Sequence, residues 1–258
     1  MLKILFIGDI VGQSGRNVVI DNISSLTKQH QIDLVIANAE NSAHGKGITE
    51  KIYHQLLECG IDVLTMGNHT FAKNNVNKFI NRADRLVRPI NMNPINTGLN
   101  YKIINIKGLD ICIFNVLGNV FMHNTNDSCF DVTNKLLKKV KADLYLCDFH
   151  GEATSEKITY AYYYQDIINI IVGTHTHVQT ADERLLGGTA FITDVGMSGP
   201  YDSILGRSKE EAIARMVHHD KTNYSIAEGP AILSAVIITV DTNTKKAISI
   251  ERIQHIEK

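Results

Sequence analysis

Eight polar residues in this 258-residue chain fall where apolar runs stop. ILFIG ends in Asp9, and LVIANA in Glu40 and Asn41. VLTMG ends in Asn68 and His69, LYLCDF in His150, and IIVGT in His175 with His177 two residues on. Carboxylate, imidazole and amide oxygen are the donor types that hold Fe, Mn or Zn ions. Each residue taken singly has a plainer reading, because Asp or Asn after a strand is commonly a turn former or the cap of the next helix. The pair in Gly173-Thr174-His175-Thr176-His177 is the most pointed. On an extended segment alternate residues share a face, so both imidazoles are expected to address one site.

The runs that deliver these residues are short, β-branched and continuous: KILFIG, DLVIANA, DVLTMG, DLYLCDF, INIIVG and AFITDV. Continuous apolarity predicts strands covered on both faces, as in parallel α/β sheets. In such sheets ligands bind outside the carboxyl ends of the strands, where the eight residues lie. Helices are expected over Arg16–Gln29, over Thr49–Cys59 with Thr49 as cap, over Asn134–Val140 and over Ala153–Gln165. Two hairpins are expected: Tyr101–Val116, turning at Lys107-Gly108, and Ile232–Ile253, turning at Asp241–Thr244. No linker-like stretch or internal repeat interrupts the chain, so residues 1–258 read as one α/β domain of parallel and antiparallel strands.

Composition narrows the classes. Hydrophobic residues are 44% and charged residues 21%, which excludes disorder. With 26 Lys and Arg against 27 Asp and Glu, the net charge of −1 argues against a bulk electrostatic grip on nucleic acid. Four cysteines without a C-x-x-C pair read as free thiols in a reducing cytoplasm. The N-terminal MLKILFIGDI is too short for a signal h-region, and no run approaches a membrane span. Gly8, Gly12 and Gly15 give G-x-x-x-G-x-x-G rather than a dinucleotide fingerprint, with Asp9 where a pyrophosphate would lie. No Walker A sequence occurs, and Ser155 and Ser198 lack a nucleophile elbow.

The strings IGDIVGQSGR, NAENSAHGKGITEKIYH, TMGNHTFAKN, DFHGEATSEK, IVGTHTHVQTAD and ITDVGMSGPYDSILG resemble the calcineurin-like metallophosphoesterase superfamily. They are closest to its YmdB branch of bacterial phosphodiesterases, and they span residues 7 to about 206. The resemblance implies a sandwich of two mixed β-sheets flanked by helices, with a dinuclear metal site at the strand C-terminal ends. Asp9, Glu40, Asn41 and His177 would surround one ion. Glu40, Asn68, His150 and His175 would surround the other, with Glu40 bridging and His69 donating a proton. The wider superfamily has a His where Val11 stands and an Asp in place of Glu40, which shifts the site toward oxygen donors. Beside the site, Phe71-Ala72 and Gly118-Asn119-Val120 depart from the branch pattern.

The implied cofactors are two ions per chain, Fe or Mn, with Zn as an alternative. The implied activity is hydrolysis of small phosphodiesters, nucleoside 2′,3′-cyclic phosphates above all, in a cytoplasmic enzyme. The alternatives are a phosphomonoesterase on the same core, and a nucleotide-sensing regulatory protein that contacts RNA-processing partners. His69, unneeded for binding alone, favours catalysis. The glycines of Ser42–Gly47 are expected to free backbone N–H groups for a phosphate, with His44 or Lys46 adding charge. Glu152 and Glu156 read either as partners orienting imidazole rings or as surface charges, and Asp194 as no closer than a supporting group. His30, His54, His123, His218, His219 and His255 show no partner pattern. Tyr160, Tyr162, Tyr163 and Tyr164 read as helix packing or a subunit interface, and a homo-oligomer is expected, without membrane association.

Overall fold

The computed structural model describes residues 1–123, 125, 127–221 and 225–257. In chain order the elements are β1 (Leu2–Ile7), β2 (Asp9–Ile10), α1 (Gly12–His30), β3 (Leu34–Asn38), α2 (Glu50–Glu58), β4 (Val63–Thr65) and a 3-10 turn (Asn74–Lys78). There follow β5 (Leu86–Val87), β6 (Tyr101–Ile106), β7 (Leu109–Leu117), α3 (Cys129–Lys139), β8 (Leu144–His150) and α4 (Thr154–Tyr163). The chain closes with β9 (Ile170–Thr174), β10 (Arg184–Leu186), β11 (Thr189–Ile192), β12 (Met197–Pro200), α5 (Lys209–Val217), β13 (Ala231–Asp241) and β14 (Lys246–Ile256).

These strands form two mixed sheets. The first runs β2-β12-β13-β1-β3-β4-β5, with β14 also paired to β13; the second runs β10-β11-β9-β8-β7-β6. The apolar runs are continuous because their strands are buried on both faces. Along β1, Leu2, Ile4 and Phe6 enter a core shared with Ile113, Leu146 and Val172 of the second sheet. The alternate residues Leu5 and Ile7 meet Val19 and Ile23 of α1 and Leu56 of α2. The second sheet repeats the scheme: Cys147, Phe149 and Ile171 turn away from the shared core toward Leu136 of α3 and Tyr160 of α4. The result is a four-layer helix–sheet–sheet–helix sandwich, as expected.

Both hairpins form. β6 and β7 join through Lys107 (φ 53) and Gly108 (φ 81), the left-handed pair that a two-residue turn requires. β13 and β14 join through residues 242–245. Thr49 caps α2, accepting from the Ile52 amide at 3.3 Å. α3 starts at Cys129 behind a Ser128 cap, five residues before the expected start at Asn134, and buries Cys129, Val132 and Leu136 on one face. The short strands β2 (DI), β5 (LV), β10 (RLL) and β12 (MSGP) lie outside the sustained apolar runs and so carry no strand signal in the sequence.

The glycines after β1 serve packing. A Cβ at Gly8 would strike the Gly196 carbonyl and one at Gly15 the Ser198 carbonyl, so both let the β1–α1 connection close on β12. The carboxyl ends of the parallel strands in the two sheets meet at one edge. There the amide of Asn38 (β3) donates to Asp148 (β8) at 3.0 Å, and that of Asn115 (β7) to the Met66 carbonyl beyond β4 at 2.7 Å. Among the described residues, no helix is long and apolar enough to cross a membrane.

Candidate metal centre

The proposed donors converge at that shared edge from opposite sheets. Glu40 and Asn41 follow β3, Asn68 and His69 follow β4, and Asp9 opens β2; His150 ends β8, and His175 and His177 follow β9. Two clusters share Glu40. In one, His150 Nε2 lies 2.9 Å from Asn68 Oδ1, 3.1 Å from Glu40 Oε1 and 3.1 Å from His175 Nδ1. In the other, Asn41 Nδ2 lies 3.1 Å from His177 Nε2, 3.4 Å from Glu40 Oε1 and 3.5 Å from Asp9 Oδ1. These are the two sets that the resemblance implies. Asn41 presents its amide nitrogen, so a half-turn of the side chain is what brings Oδ1 to the same point.

The hydrogen bonds beneath the site fix how His150 faces it. Thr174 Oγ1 donates its single proton to Asp148 Oδ1 at 2.6 Å, and His150 Nδ1 lies 2.9 Å from that same hydroxyl oxygen. Nδ1 is therefore the donor, and Nε2 is left facing the oxygens and the ring nitrogen of its neighbours. Several lone pairs aimed at one buried point suit a cation. The ligand atoms of Glu40, His150 and His175 all lie within 4.8 Å of one another. The residues present thus fit a metal centre by donor type and by convergence.

The electrostatics without an ion show the same crowding. Burial pushes Asp9 up to about 6, with the nearby imidazoles of His177 and His150 opposing. Glu40 falls to about 2, because His150 and His69 outweigh its burial. His150 rises to about 9 against its own burial, held charged by Glu40. His175 drops to about 3 through burial and the neighbouring His150. A proton on His150 thus neutralises part of a buried anionic cluster, and metal binding would displace it.

The left-handed backbone is where the structure departs from the reading of the histidine pair. β9 ends at Thr174, and His175 (φ 102) and His177 (φ 67) lie beyond it in a conformation that L residues seldom adopt. They share the site through this bend and not through strand alternation. The Ser42–Gly47 loop also differs from expectation. The Gly45 amide donates to the Asn41 carbonyl at 3.1 Å and the Gly47 amide to that of Glu40, so the loop commits these donors to its own turn. His44 is exposed and does not line the cleft, whereas Gly45 does.

His69 is half-buried and lines the cleft, with its backbone amide donating to Glu40 Oε2 at 2.8 Å. Burial lowers its pKa, with Glu40 opposing. Glu152 meets His175 Nε2 at 3.2 Å and so orients that ring. Glu156 does neither thing expected of it. It is buried and accepts from the Asn119 and Val120 amides at 2.9 and 3.1 Å, bracing that turn. Tyr160 and Tyr164 pack inside with Phe130, while Tyr162 and Tyr163 are exposed.

Sequence reasoning missed Asp148, Thr174, Lys157 and Gly67. A Cβ at Gly67 would collide with the Glu40 carboxylate and the His150 ring, so this glycine clears the site. Asp148 is fully buried within the apolar run of β8. Arg207 was also missed; it lines the cleft with Val11, Leu205 and Ile226, around a volume of about 260 Å³.

A model of the YmdB-like protein family matches residues 5–253. The chain belongs to that family. It is 43% identical over 254 residues to the 2′,3′-cyclic-nucleotide 2′-phosphodiesterase of Bacillus subtilis strain 168, covering 98% of this chain and 96% of the relative. Among solved structures, a novel phosphatase from Mycoplasma pneumoniae superposes with a TM-score of 0.94 at 38% identity, covering 99% of this chain and 93% of that one. A hypothetical protein from Thermus thermophilus superposes with a TM-score of 0.93 at 34% identity, covering 100% of both chains. As a YmdB-like protein, the chain is a hydrolytic enzyme of the phosphodiesterase and phosphatase type.

Proposed function

We propose that this YmdB-like protein is a metal-dependent phosphodiesterase that opens nucleoside 2′,3′-cyclic phosphates at the 2′ oxygen. The observation that carries the reading is the pair of donor clusters sharing Glu40, with a half-buried His69 on the same cleft wall. Asp9, Glu40, Asn41 and His177 would hold one ion; Glu40, Asn68, His150 and His175 would hold the second. Such ions, Fe or Mn by the oxygen-rich donor set, lower the pKa of a water and neutralise charge on the phosphoryl oxygens.

The chain's own residues do the rest. The water oxygen bonds to phosphorus as the bond from phosphorus to the 2′ oxygen breaks, and His69 delivers a proton to that leaving oxygen. An anionic phosphoryl group beside the ring favours the imidazolium form needed for this. Arg207 adds positive charge to the cleft, and Val11, Leu205 and Ile226 give an apolar wall that suits the face of a nucleobase.

The test is a panel of 2′,3′-cyclic nucleotides, bis-p-nitrophenyl phosphate and a monoester, each with Mn²⁺ or Fe²⁺. Metal-dependent release of nucleoside 3′-phosphate, faster than monoester hydrolysis, is expected. A metal-loaded protein that hydrolyses only monoesters, or nothing, would sink the proposal.

A further inference from the structure

Below the two histidines lies a charged pair that the chemistry above does not use. Lys157 of α4 is 1% exposed and Asp194, after β11, is 0% exposed. Lys157 Nζ donates to Asp194 Oδ2 and to the Thr174 carbonyl, both at 2.8 Å. Asp194 Oδ2 also accepts the Thr176 amide at 3.0 Å and the Thr176 hydroxyl at 2.8 Å. Its second oxygen accepts the Gly196 amide at 2.8 Å, and the next residue, Met197, donates its own amide to the His177 carbonyl at 3.2 Å.

The pair therefore grips the backbone on both sides of His175, which carries the left-handed φ of 102. A buried ion pair is a weak source of net stability, since apolar side chains of like volume often do as well. A strained residue persists only where its surroundings over-determine it. Both facts are accounted for if the pair serves geometry.

We propose that Lys157 and Asp194 are positioning residues for the metal centre. By clamping the Thr174 carbonyl and the Thr176 amide they impose the bend that turns His175 toward Glu40 and His150. The inference rests on reading the cluster as a metal site.

The experiment is Mn²⁺ binding, read by electron paramagnetic resonance of the free ion, with melting temperature measured in parallel. Lys157→Met keeps the packing of the aliphatic stem, and Asp194→Asn keeps one acceptor. Both should weaken Mn²⁺ binding by about 10- to 100-fold, the usual effect of losing a partner behind a metal ligand. Leu136→Ala, a core truncation on the far side of the second sheet, should lower the melting temperature but bind Mn²⁺ as the wild type does. Wild-type affinity in folded Lys157→Met or Asp194→Asn overturns the proposal. So does an equal loss in Leu136→Ala, because the loss would then follow stability alone. Should both charge variants fail to fold, Thr176→Val removes one of the two Thr176 donors and is expected to bind a few-fold more weakly; unchanged affinity there overturns the proposal. A wild-type chain that takes no metal sinks the metal reading itself, whereas normal wild-type binding with unaffected variants sinks this inference alone.

Discussion

The two sheets contribute different chemistry to one site. The first supplies carboxylates and amides, Asp9, Glu40, Asn41 and Asn68, with His69 behind them; the second supplies the imidazoles His150, His175 and His177. Their support differs too. Glu40, Asn41 and Asn68 sit on tight turns and Asp9 opens a strand, with Gly67 leaving room for Glu40 and for His150 of the other sheet. The second-sheet imidazoles stand on buried polar groups: Asp148 and Thr174 behind His150, Lys157 and Asp194 around His175. Short acidic and amide side chains need room and a turn. Imidazoles need a fixed ring plane and a fixed tautomer, which only a hydrogen-bonded partner can impose.

The contrast can be tested from its largest expected consequence downward. Glu40→Gln removes the charge common to both clusters, so metal content should fall to background and hydrolysis with it; retained metal, by elemental analysis, breaks the shared-carboxylate reading. Next comes His69→Ala. It should keep its metal and lose roughly 10²–10⁴-fold in turnover on substrates with a poor, alkoxide leaving group. Wild-type turnover of a 2′,3′-cyclic nucleotide by that variant would remove His69 from the mechanism.

On the second sheet, Thr174→Val cuts the link from Asp148 to His150 without touching a donor atom. Metal affinity should drop about 10- to 100-fold, while Gly67→Ala, colliding with Glu40 of the first sheet and His150 of the second, should both weaken metal binding and cost on the order of 1–3 kcal/mol of stability. Both variants should melt lower than the wild type without metal, since Thr174→Val leaves the buried Asp148 Oδ1 without its donor; wild-type metal affinity in Thr174→Val, by titration, breaks the reading of Thr174 as the support of His150.

The smallest effect is expected just beyond the carboxyl end of β11, at Asp182. Burial raises its carboxyl, but hydrogen bonds from Thr180 Oγ1 and from the Thr193 hydroxyl and amide outweigh this and leave the pKa below its ordinary 3.8. The folded state then takes up the proton less readily than the unfolded chain. The stabilisation is full above the unfolded value and is lost as pH falls through the lower folded one. Asp182→Asn should flatten that acid limb in pH-dependent melts and leave metal binding unchanged.

What could be read in advance follows from local physics. The doubly buried strands show as continuous apolar runs, Lys107-Gly108 as a turn and Thr49 as a cap, because each depends on neighbouring residues. The residues that converge at the shared edge were legible because Asp9, Glu40, Asn41, Asn68, His69, His150 and His175 stand at the ends of those runs. His177 was legible too, although for the wrong geometric reason. Asp148 and Lys157 were not, because a buried charge within an apolar run or a helix declares itself only when its partner, 26 or 37 residues away, is known. Glu156 misled for the same reason: a helix N-terminal acid reads as a surface charge until the turn it accepts from is in view.

The sequence alone thus determined which side chains end the strands and which ion-binding chemistry they can offer. The tertiary structure decided that donors from two different sheets meet at one edge and divide into two clusters around Glu40. It also decided the left-handed turn of His175. The physical reason is range: periodicity, capping and turn preference act over a few residues, whereas the approach of β3 and β4 to β8 and β9 is set by the packed core between the sheets.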